Sequence, residues 1–153
     1  MANTYICIYL HLVFAVKHRQ ALLRPDIIPR VHKYIAGVCH KVGNDAICIG
    51  GIEDHTHILH KFSPKSCLAD FVRDVKVAST KFINDNHLCP HLFAWQRGYA
   101  CFSYSKSQIE KVCRYINMQM EHHKGYTLQE EIRRFLELYD MDYDEKYIFE
   151  EPV

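Results

Sequence analysis

Alternating apolar positions predict four strands in this chain. Four segments are rich in β-branched and aromatic residues, which favour extended structure, and they cover residues 4–17, 45–50, 55–62 and 99–104. The sequence Gly-Ile-Glu-Asp lies between the second and third segments. Such a short polar connection between two strands predicts a hairpin.

Apolar residues recur at helical spacing in four further segments. The predicted helices span residues 25–41, 66–84, 105–124 and 127–139. Ser66 is positioned to cap the second, and Ser105 with Gln108 and Thr127 with Glu130 form capping-box patterns for the last two. Strands and helices in this order predict an α+β fold, a single domain over residues 1–153 with a mostly antiparallel sheet of four to five strands and helices packed against it.

The net charge of +1 is the sum of a basic N-terminal part and an acidic C-terminal part of the chain. Residues 127–153 carry nine acidic and three basic side chains, whereas the first 126 residues carry sixteen basic and nine acidic ones. A basic body with an acidic C-terminal helix and tail is compatible with nucleic-acid binding by the body. A merely solvated acidic end is an equally good interpretation, so charge does not decide the function.

The composition indicates a globular protein that functions in a reducing compartment. No apolar run approaches the roughly 18–20 residues that span a bilayer, and the first residues lack a signal-peptide pattern. Seven cysteines are scattered without a Cys-x-x-Cys pair, which favours free thiols over disulfides or a structural zinc site. We therefore expect a cytoplasmic protein with no membrane association.

The most informative residues are two histidines separated by one position. His55 and His57 lie in a predicted strand, where alternate side chains share a face, so both imidazoles can approach one metal ion. Imidazole suits Zn, Mn, Fe and Ni, and an added oxygen ligand would shift the preference towards Mg or Mn. The alternative is a pair of polar residues on the solvent face of an edge strand.

A second pair lies about one helical turn apart, some sixty residues downstream. In the helix 105–124 an apolar stripe is predicted to face the core, formed by Ile109, Val112, Cys113, Ile116 and Met120. Tyr115 and Gln119 fall at the border of that stripe, where a side chain is held firmly yet can reach a ligand. Tyr115 could simply be a packing residue. Together with the two histidines, however, a phenol and a third ligand indicate metal-assisted attack on a phosphate.

Neighbouring polar residues have simpler interpretations. Glu53 and Asp54 could hydrogen-bond to the histidines, but we expect them to form the hairpin turn. His122 and His123 diverge by about 100° on a helix, so at most one could join the site. We expect both to be exposed at the helix end, where the negative end of the dipole favours them.

These motifs together resemble a known family. The segments YLHLVFAVKHR, DHTHIL, WQRGYACFSYS and YINMQMEHHKG occur in the order and spacing of the single-tyrosine HUH transposases of the insertion sequence 200/605 family. The resemblance covers nearly the whole chain. Thr56 departs from the bulky apolar residue usual between the two histidines, but its side chain is expected to face away from the metal.

The resemblance implies a ferredoxin-like HUH endonuclease fold and a defined chemistry. His55, His57 and Gln119 would bind a divalent cation, Mg or Mn, and Tyr115 would attack single-stranded DNA to form a 5′-phosphotyrosine and a free 3′-hydroxyl. No ATP is needed, which agrees with the lack of a Gly-rich phosphate loop. Similar proteins act as homodimers on DNA with hairpin ends, and each tyrosine helix is able to complete the partner's metal site.

The implied DNA partner needs basic contacts. The predicted phosphate contacts, taken from positions near the first strand and on the second helix, are Lys17, Arg19, Arg24, Arg73, Lys76 and Lys81. Two other functions stay open. A domesticated relative that nicks repeated palindromes would share the chemistry, and a non-catalytic hairpin-binding module would share only the fold. A relaxase or replication initiator fits less well, since these typically have larger domains.

Overall fold

Four antiparallel strands form the sheet in a computed structural model that describes residues 3–153. The strands are β1 (Tyr9–Ala15), β2 (Ala46–Ile52), β3 (His55–Lys61) and β4 (Ala100–Tyr104). Their order across the sheet is β2-β3-β1-β4, with every neighbouring pair antiparallel. The predicted α+β fold with an antiparallel sheet is therefore confirmed.

Five helices connect or follow these strands. They are α1 (Ile28–Lys41), α2 (Leu68–Asp85), α3 (Ile109–Asn117), α4 (Gln119–His122) and α5 (Leu128–Leu138). Short 3₁₀ turns occupy Arg19–Ala21, Lys106–Gln108 and Glu145–Tyr147. Among the described residues, no helix is both long and apolar enough to cross a membrane.

The sheet is covered on both faces, and the larger core lies on one of them. Leu12 and Phe14 of β1 and Ile58 of β3 point to this face and are fully buried against apolar side chains of α1 and α2. Complete burial of such side chains contributes about 1.5–3 kcal/mol each. This face therefore fixes the central strands β1 and β3 as a rigid platform.

The opposite face carries two smaller apolar clusters. Under α3, Leu59 packs with Val112 and Ile116. Under α5, Val13 and Ala15 pack with Leu128, Ile132 and Ile148 of the C-terminal tail. Alternation along β1 and β3 places His11, His55 and His57 on this same face. The polar side chains of the sheet are thus covered by the segment from α3 to α5.

The predicted continuous helix over residues 105–124 was wrong, because it is interrupted at Met118. The backbone of Met118 has φ −106° and ψ 25°, outside the helical region, and separates α3 from α4. The helical phase is lost there, so Met120 is 63% exposed instead of buried as predicted. The interruption lies between Tyr115 and Gln119, the two residues predicted to act together.

Other boundaries differ at the ends of elements. The first strand begins at Tyr9, so residues 4–8 precede it and are exposed, although the Ile8 carbonyl accepts a hydrogen bond from the Phe62 amide (2.8 Å). Ser66 does not cap α2, since its hydroxyl accepts a hydrogen bond from Asn44 Nδ2 (2.8 Å) and Cys67 precedes the helix. The predicted cap of α5 is confirmed, with Thr127 Oγ1 accepting a hydrogen bond from the Glu130 amide (3.2 Å).

The C-terminal tail, unassigned from the sequence, folds back onto the body. The Val153 amide donates to the Lys17 carbonyl (2.9 Å), and the Arg19 amide donates to the Val153 carbonyl (2.8 Å). Ile148 is buried in the cluster under α5. The acidic segment is therefore packed along the end of β1.

Gly50 allows α3 to approach β2, which gives a testable prediction. A Cβ at Gly50 would overlap the Ile116 carbonyl oxygen and lie 2.7 Å from Ile116 Cγ2. We expect Gly50→Ala to lower the free energy of unfolding by about 1–3 kcal/mol, as overpacking does. Chemical denaturation followed by circular dichroism measures the change.

Gly37→Ala is the matched control. A Cβ at Gly37 in α1 would meet nothing within 4 Å, so alanine should stabilise the helix by about 0.5–1 kcal/mol. Unchanged stability of Gly50→Ala would contradict the close packing of α3 on β2.

Candidate active site

The two predicted metal-binding histidines converge as expected. His55 and His57 lie at alternate positions of β3, and both side chains are fully buried on the face covered by α3–α5. Their ring centroids are 5.0 Å apart. Thr56 points to the opposite face, as its place in the strand predicts. The strand geometry thus brings both imidazoles into one enclosed polar cluster.

Tyr115 and Gln119 reach the same cluster from the same chain. Gln119 Oε1 lies 3.0 Å from His55 Nε2, and the ring of Tyr115 stands edge-on to that of His57 with centroids 6.2 Å apart. The Gln119 side chain is buried and that of Tyr115 is part-buried. The structure therefore brings together all four side chains that the sequence singled out.

Glu131 is the functional candidate that sequence reasoning missed. This residue of α5 is 1% exposed, and its Oε1 lies 3.1 Å from His57 Nε2. Its Oε2 accepts hydrogen bonds from the Tyr115 hydroxyl and from Gln119 Nε2 (3.2 Å). One ligand atom each from His55, His57 and Glu131 lies within 4.8 Å of the others, as a shared metal ion requires.

A sequence signal for Glu131 did exist. The buried stripe of α5 includes Leu128 and Ile132, and Glu131 falls within it at helical spacing. A carboxylate among apolar positions of an amphipathic helix is rarely buried without a partner. The many acidic residues of the C-terminal segment obscure this signal.

The Nδ1 atom of each of the two histidines contacts a further side chain. His55 Nδ1–H donates to Asp54 Oδ1 (2.6 Å), so Asp54 orients this ring as well as lying in the turn, and the expectation that it serves the turn alone was wrong. His57 Nδ1 lies 2.7 Å from Nε2 of the buried His11. His11 Nδ1 in turn lies 3.4 Å from the Tyr104 hydroxyl. Such partners fix the orientation and tautomer of metal-binding imidazoles.

Burial and neighbouring charges set the protonation of the cluster. Burial alone would raise the pKa of Glu131, but the imidazoles of His123 and His57 hold this pKa far below its usual value. Burial and the Glu131 carboxylate raise the pKa of Tyr115 well above its ordinary value near 10. Burial lowers the pKa of His57. Without a further cation, the cluster keeps an ionised carboxylate and a protonated phenol.

The donor atoms of this cluster fit a divalent cation. His55 Nδ1–H donates a hydrogen bond to Asp54 Oδ1, so in the neutral ring the lone pair of Nε2 faces Gln119 Oε1 (3.0 Å), and Glu131 Oε1 lies 3.7 Å away. Electron pairs that face one another are unfavourable unless a proton or a cation lies between them. Imidazole nitrogen, carboxylate and amide oxygen are all ordinary ligands of divalent ions.

The expectation of two exposed histidines at the helix end was wrong for His123. Its side chain is 4% exposed, and its Nε2 lies 3.3 Å from Glu131 Oε1. His122 is half-buried, and its ring lies 4.6 Å from that of Tyr115, centroid to centroid. The interruption at Met118 redirects α4, which turns His123 towards the cluster.

The predicted DNA contacts do not gather around this cluster. Arg73 and Lys81 lie on α2, across the sheet from Tyr115, and each forms ion pairs with acidic residues of its own helix. Lys76 donates to the carbonyls of Gln96 (2.9 Å) and Gly98 (2.6 Å). The other three lie between β1 and α1, where Lys17 is exposed, Arg19 pairs with Glu151 and Arg24 pairs with Asp26.

Comparison with known proteins identifies the family of transposases to which a chain with this fold and this side-chain cluster belongs. A sequence model of the IS200-like transposase family matches residues 4–119. The chain belongs to this family. The match includes His55, His57, Tyr115 and Gln119, and it ends before Glu131.

One curated relative and two solved structures are similar to this chain. The ISDra2 transposase TnpA of Deinococcus radiodurans is 25% identical over 114 residues, which cover 71% of this chain and 81% of that protein. A solved structure of a Deinococcus radiodurans R1 protein assigned as a transposase aligns with a TM-score of 0.58 at 23% identity, over 76% of this chain and 94% of that one. A REP-associated tyrosine transposase bound to a REP hairpin aligns with a TM-score of 0.59 at 14% identity, over 100% of this chain and 98% of that one. Both structures share the fold.

The Asp54–His55 hydrogen bond gives a second prediction. Asp54→Ala removes the acceptor that orients His55, and loss of such a partner lowers metal affinity about 10–100-fold. We expect calorimetric titration with Mn²⁺ to show a decrease of this size. Glu53→Ala, at the neighbouring turn position, is the control and should bind Mn²⁺ as the unaltered protein does. Equal affinity in both variants would show that Asp54 does not orient a metal ligand.

Proposed function

We propose that this chain nicks and rejoins single-stranded DNA by metal-assisted tyrosine transesterification during DNA transposition. The observation that carries this proposal is the contact of the Tyr115 phenol with a buried cluster of two histidines, a glutamine and a glutamate. Tyr115 is the proposed nucleophile. His55, His57 and Gln119 are the proposed ligands of a divalent cation, Mg or Mn.

The reaction exchanges one phosphodiester for another. The Tyr115 oxygen attacks phosphorus, a P–O bond to tyrosine forms, and the P–O bond to the 3′-oxygen breaks. The products are a 5′-phosphotyrosine and a strand with a free 3′-hydroxyl, which takes up a proton. A bound divalent cation supplies stabilisation of the negative charge that develops on the phosphate oxygens. The reverse attack by a 3′-hydroxyl rejoins a strand without ATP.

Glu131 accepts a hydrogen bond from the Tyr115 hydroxyl, whose proton the nucleophile must lose. The Tyr115 hydroxyl donates to Glu131 Oε2, which is therefore in place to accept this proton as the tyrosine attacks. The same carboxylate raises the pKa of Tyr115 while no cation offsets its charge. A divalent cation at the histidines would offset that charge and favour the phenolate. Proton loss and cation binding are thereby coupled in this cluster.

The proposed substrate is single-stranded DNA with hairpin ends. A structural relative was solved bound to a REP hairpin, which supports hairpin recognition as a proposal for this chain. We keep Lys17, Arg19, Arg24, Arg73, Lys76 and Lys81 as proposed phosphate contacts.

We propose a homodimer that acts on two DNA ends, and each copy already places Tyr115 beside its own histidines. The free state of all seven cysteines supports a cytoplasmic setting.

A domesticated nickase of repeated palindromes is the second candidate. The similarity of the REP-associated tyrosine transposase over the whole chain favours it. Both functions use the same nucleophile and the same cation site. A non-catalytic hairpin-binding module would not require the buried contacts of Tyr115, His55 and His57, so these contacts support an enzyme.

Removal of the Tyr115 hydroxyl tests the nucleophile. With labelled hairpin-flanked single strands and Mn²⁺, Tyr115→Phe should form no covalent protein–DNA adduct, because no other group holds the attacking oxygen. Hairpin binding should remain. Denaturing gels detect the adduct, and peptide mapping identifies the linked tyrosine.

Tyr34→Phe is the matched control for this experiment. Tyr34 stacks on Phe82 on the other side of the sheet, with ring centroids 4.1 Å apart, so its hydroxyl should not affect the adduct. An adduct that persists in Tyr115→Phe rules out the assignment. Hairpin binding without any adduct in the unaltered protein would favour the non-catalytic module.

Substitution of His57 tests whether DNA cleavage requires a cation at the histidine pair. His57→Ala should lose DNA cleavage in both Mg²⁺ and Mn²⁺, and chelation with EDTA should abolish cleavage by the unaltered protein. His60→Ala removes a buried histidine of the same strand that faces Phe71 on the opposite side, and it should retain cleavage. Full cleavage by the unaltered protein without metal would contradict the proposed role of the pair.

A further inference from the structure

His123 has one ring nitrogen committed to a hydrogen bond and the other directed into the active-site cluster. Nδ1 lies 2.9 Å from the Tyr126 carbonyl oxygen. Nε2 is buried and has no hydrogen-bond partner of acceptable geometry among the described residues. It nevertheless lies 3.3 Å from Glu131 Oε1. Nothing in the proposed reaction so far uses this nitrogen.

The hydrogen bond at Nδ1 decides the state of Nε2. A carbonyl oxygen only accepts, so Nδ1 must carry the proton, and Nε2 of the neutral ring carries a lone pair. That lone pair lies 3.3 Å from a carboxylate oxygen but outside hydrogen-bonding geometry. A cation close to both electron-rich atoms would compensate them without requiring a direct hydrogen bond.

The other two histidines of the cluster also have a ring nitrogen close to Glu131 Oε1. The Nε2 atoms of His57, His123 and His55 lie 3.1, 3.3 and 3.7 Å from this oxygen. The ring centroids of His55 and His123 are 4.6 Å apart. Three imidazole nitrogens from two separate elements therefore approach one carboxylate oxygen in a buried space.

The helix that carries Glu131 is held firmly in place. Thr127 caps α5, and Leu128 and Ile132 are buried against Val13 and Ala15 of β1. Glu131 therefore projects into the cluster from a fixed backbone position. Burial of an ionised carboxylate is costly unless opposite charge compensates it, and a divalent cation supplies more compensation than neutral imidazoles.

We infer that His123 and Glu131 are additional ligands of the same divalent cation, and that their donors make the site selective for a first-row transition ion over Mg²⁺. This inference rests on the proposed function, because it extends the cation site of that reaction. Three imidazole nitrogens favour ions such as Mn²⁺, Co²⁺ or Zn²⁺, whereas Mg²⁺ prefers oxygen ligands and retains water. Both residues lie beyond residues 4–119, which the family model matches.

Calorimetric titration of the full chain with Mn²⁺ and with Mg²⁺ tests this inference. The unaltered protein should bind Mn²⁺ more tightly than Mg²⁺. His123→Phe and Glu131→Gln should each lower Mn²⁺ affinity at least about tenfold, since loss of an outer-shell partner alone already has that effect. Equal affinity for the two ions in the unaltered protein would overturn the selectivity.

Neighbouring residues of the same type supply the controls. His122→Phe keeps an aromatic ring beside Tyr115, and Glu130→Gln changes an exposed carboxylate next to Glu131. Both should retain Mn²⁺ affinity. If His123→Phe and Glu131→Gln also retain it while His57→Ala loses it, the inference fails and the proposed function stands. Loss of affinity in none of the three variants would overturn both.

A measurement on the unaltered protein does not depend on whether the variants fold. Titration of ¹⁵N-histidine-labelled protein with Zn²⁺, which is diamagnetic, reports each ring nitrogen by NMR. The Nε2 resonances of His55, His57 and His123 should shift together as one equivalent binds. Shifts at His55 and His57 with none at His123 would show that His123 pairs with Glu131 as a protonated ring and is not a ligand.

Discussion

A carboxylate buried among imidazoles is the interaction on which the arrangement of this site depends. Glu131 of α5 contacts His57 of β3, and its second oxygen accepts hydrogen bonds from Tyr115 and Gln119. The strand β3 and the distant segment from α3 to α5 therefore meet at one side chain. A buried carboxylate left without these partners would be strongly unfavourable, so the partners and the carboxylate hold one another in place.

One face of the sheet packs the main apolar core, and the other face carries the polar side chains of the candidate site. One face buries apolar side chains against α1 and α2 and gives β1 and β3 a fixed position. The other face carries His11, His55 and His57, which α3–α5 shield from water. Electrostatic interactions are stronger in such an enclosed place than in water. A histidine pair on a central strand, paired on both sides, is therefore well suited to hold a cation in a set position.

Local patterns in the sequence predicted much of the fold and four residues of the site. Alternation along residues 55–61 predicted that His55 and His57 share a face, and helical spacing predicted that Tyr115 and Gln119 are neighbours. The interruption at Met118 was missed because helical periodicity assumes one continuous phase. The buried stripe of α5 marks Glu131 as a buried carboxylate, but its partner His57 lies 74 residues away, and His123 lies 68 residues from His55, so no local pattern identifies these partners.

The buried cluster extends beyond the residues that the family model matches. The family model ends at Gln119, yet the buried cluster includes Glu131, and the packing that holds Glu131 includes Thr127, Leu128 and Ile132. Residues 120–138 are thus part of the structure of the candidate site.

The acidic residues of the C-terminal segment fall into two groups. Most of its carboxylates are exposed, and one, Glu131, is buried beside Tyr115, where burial and this charge raise the pKa of the phenol. Among the carboxylates of this segment, only Glu131 contacts both Tyr115 and His57, so only its charge can act on the phenol and the histidine pair together.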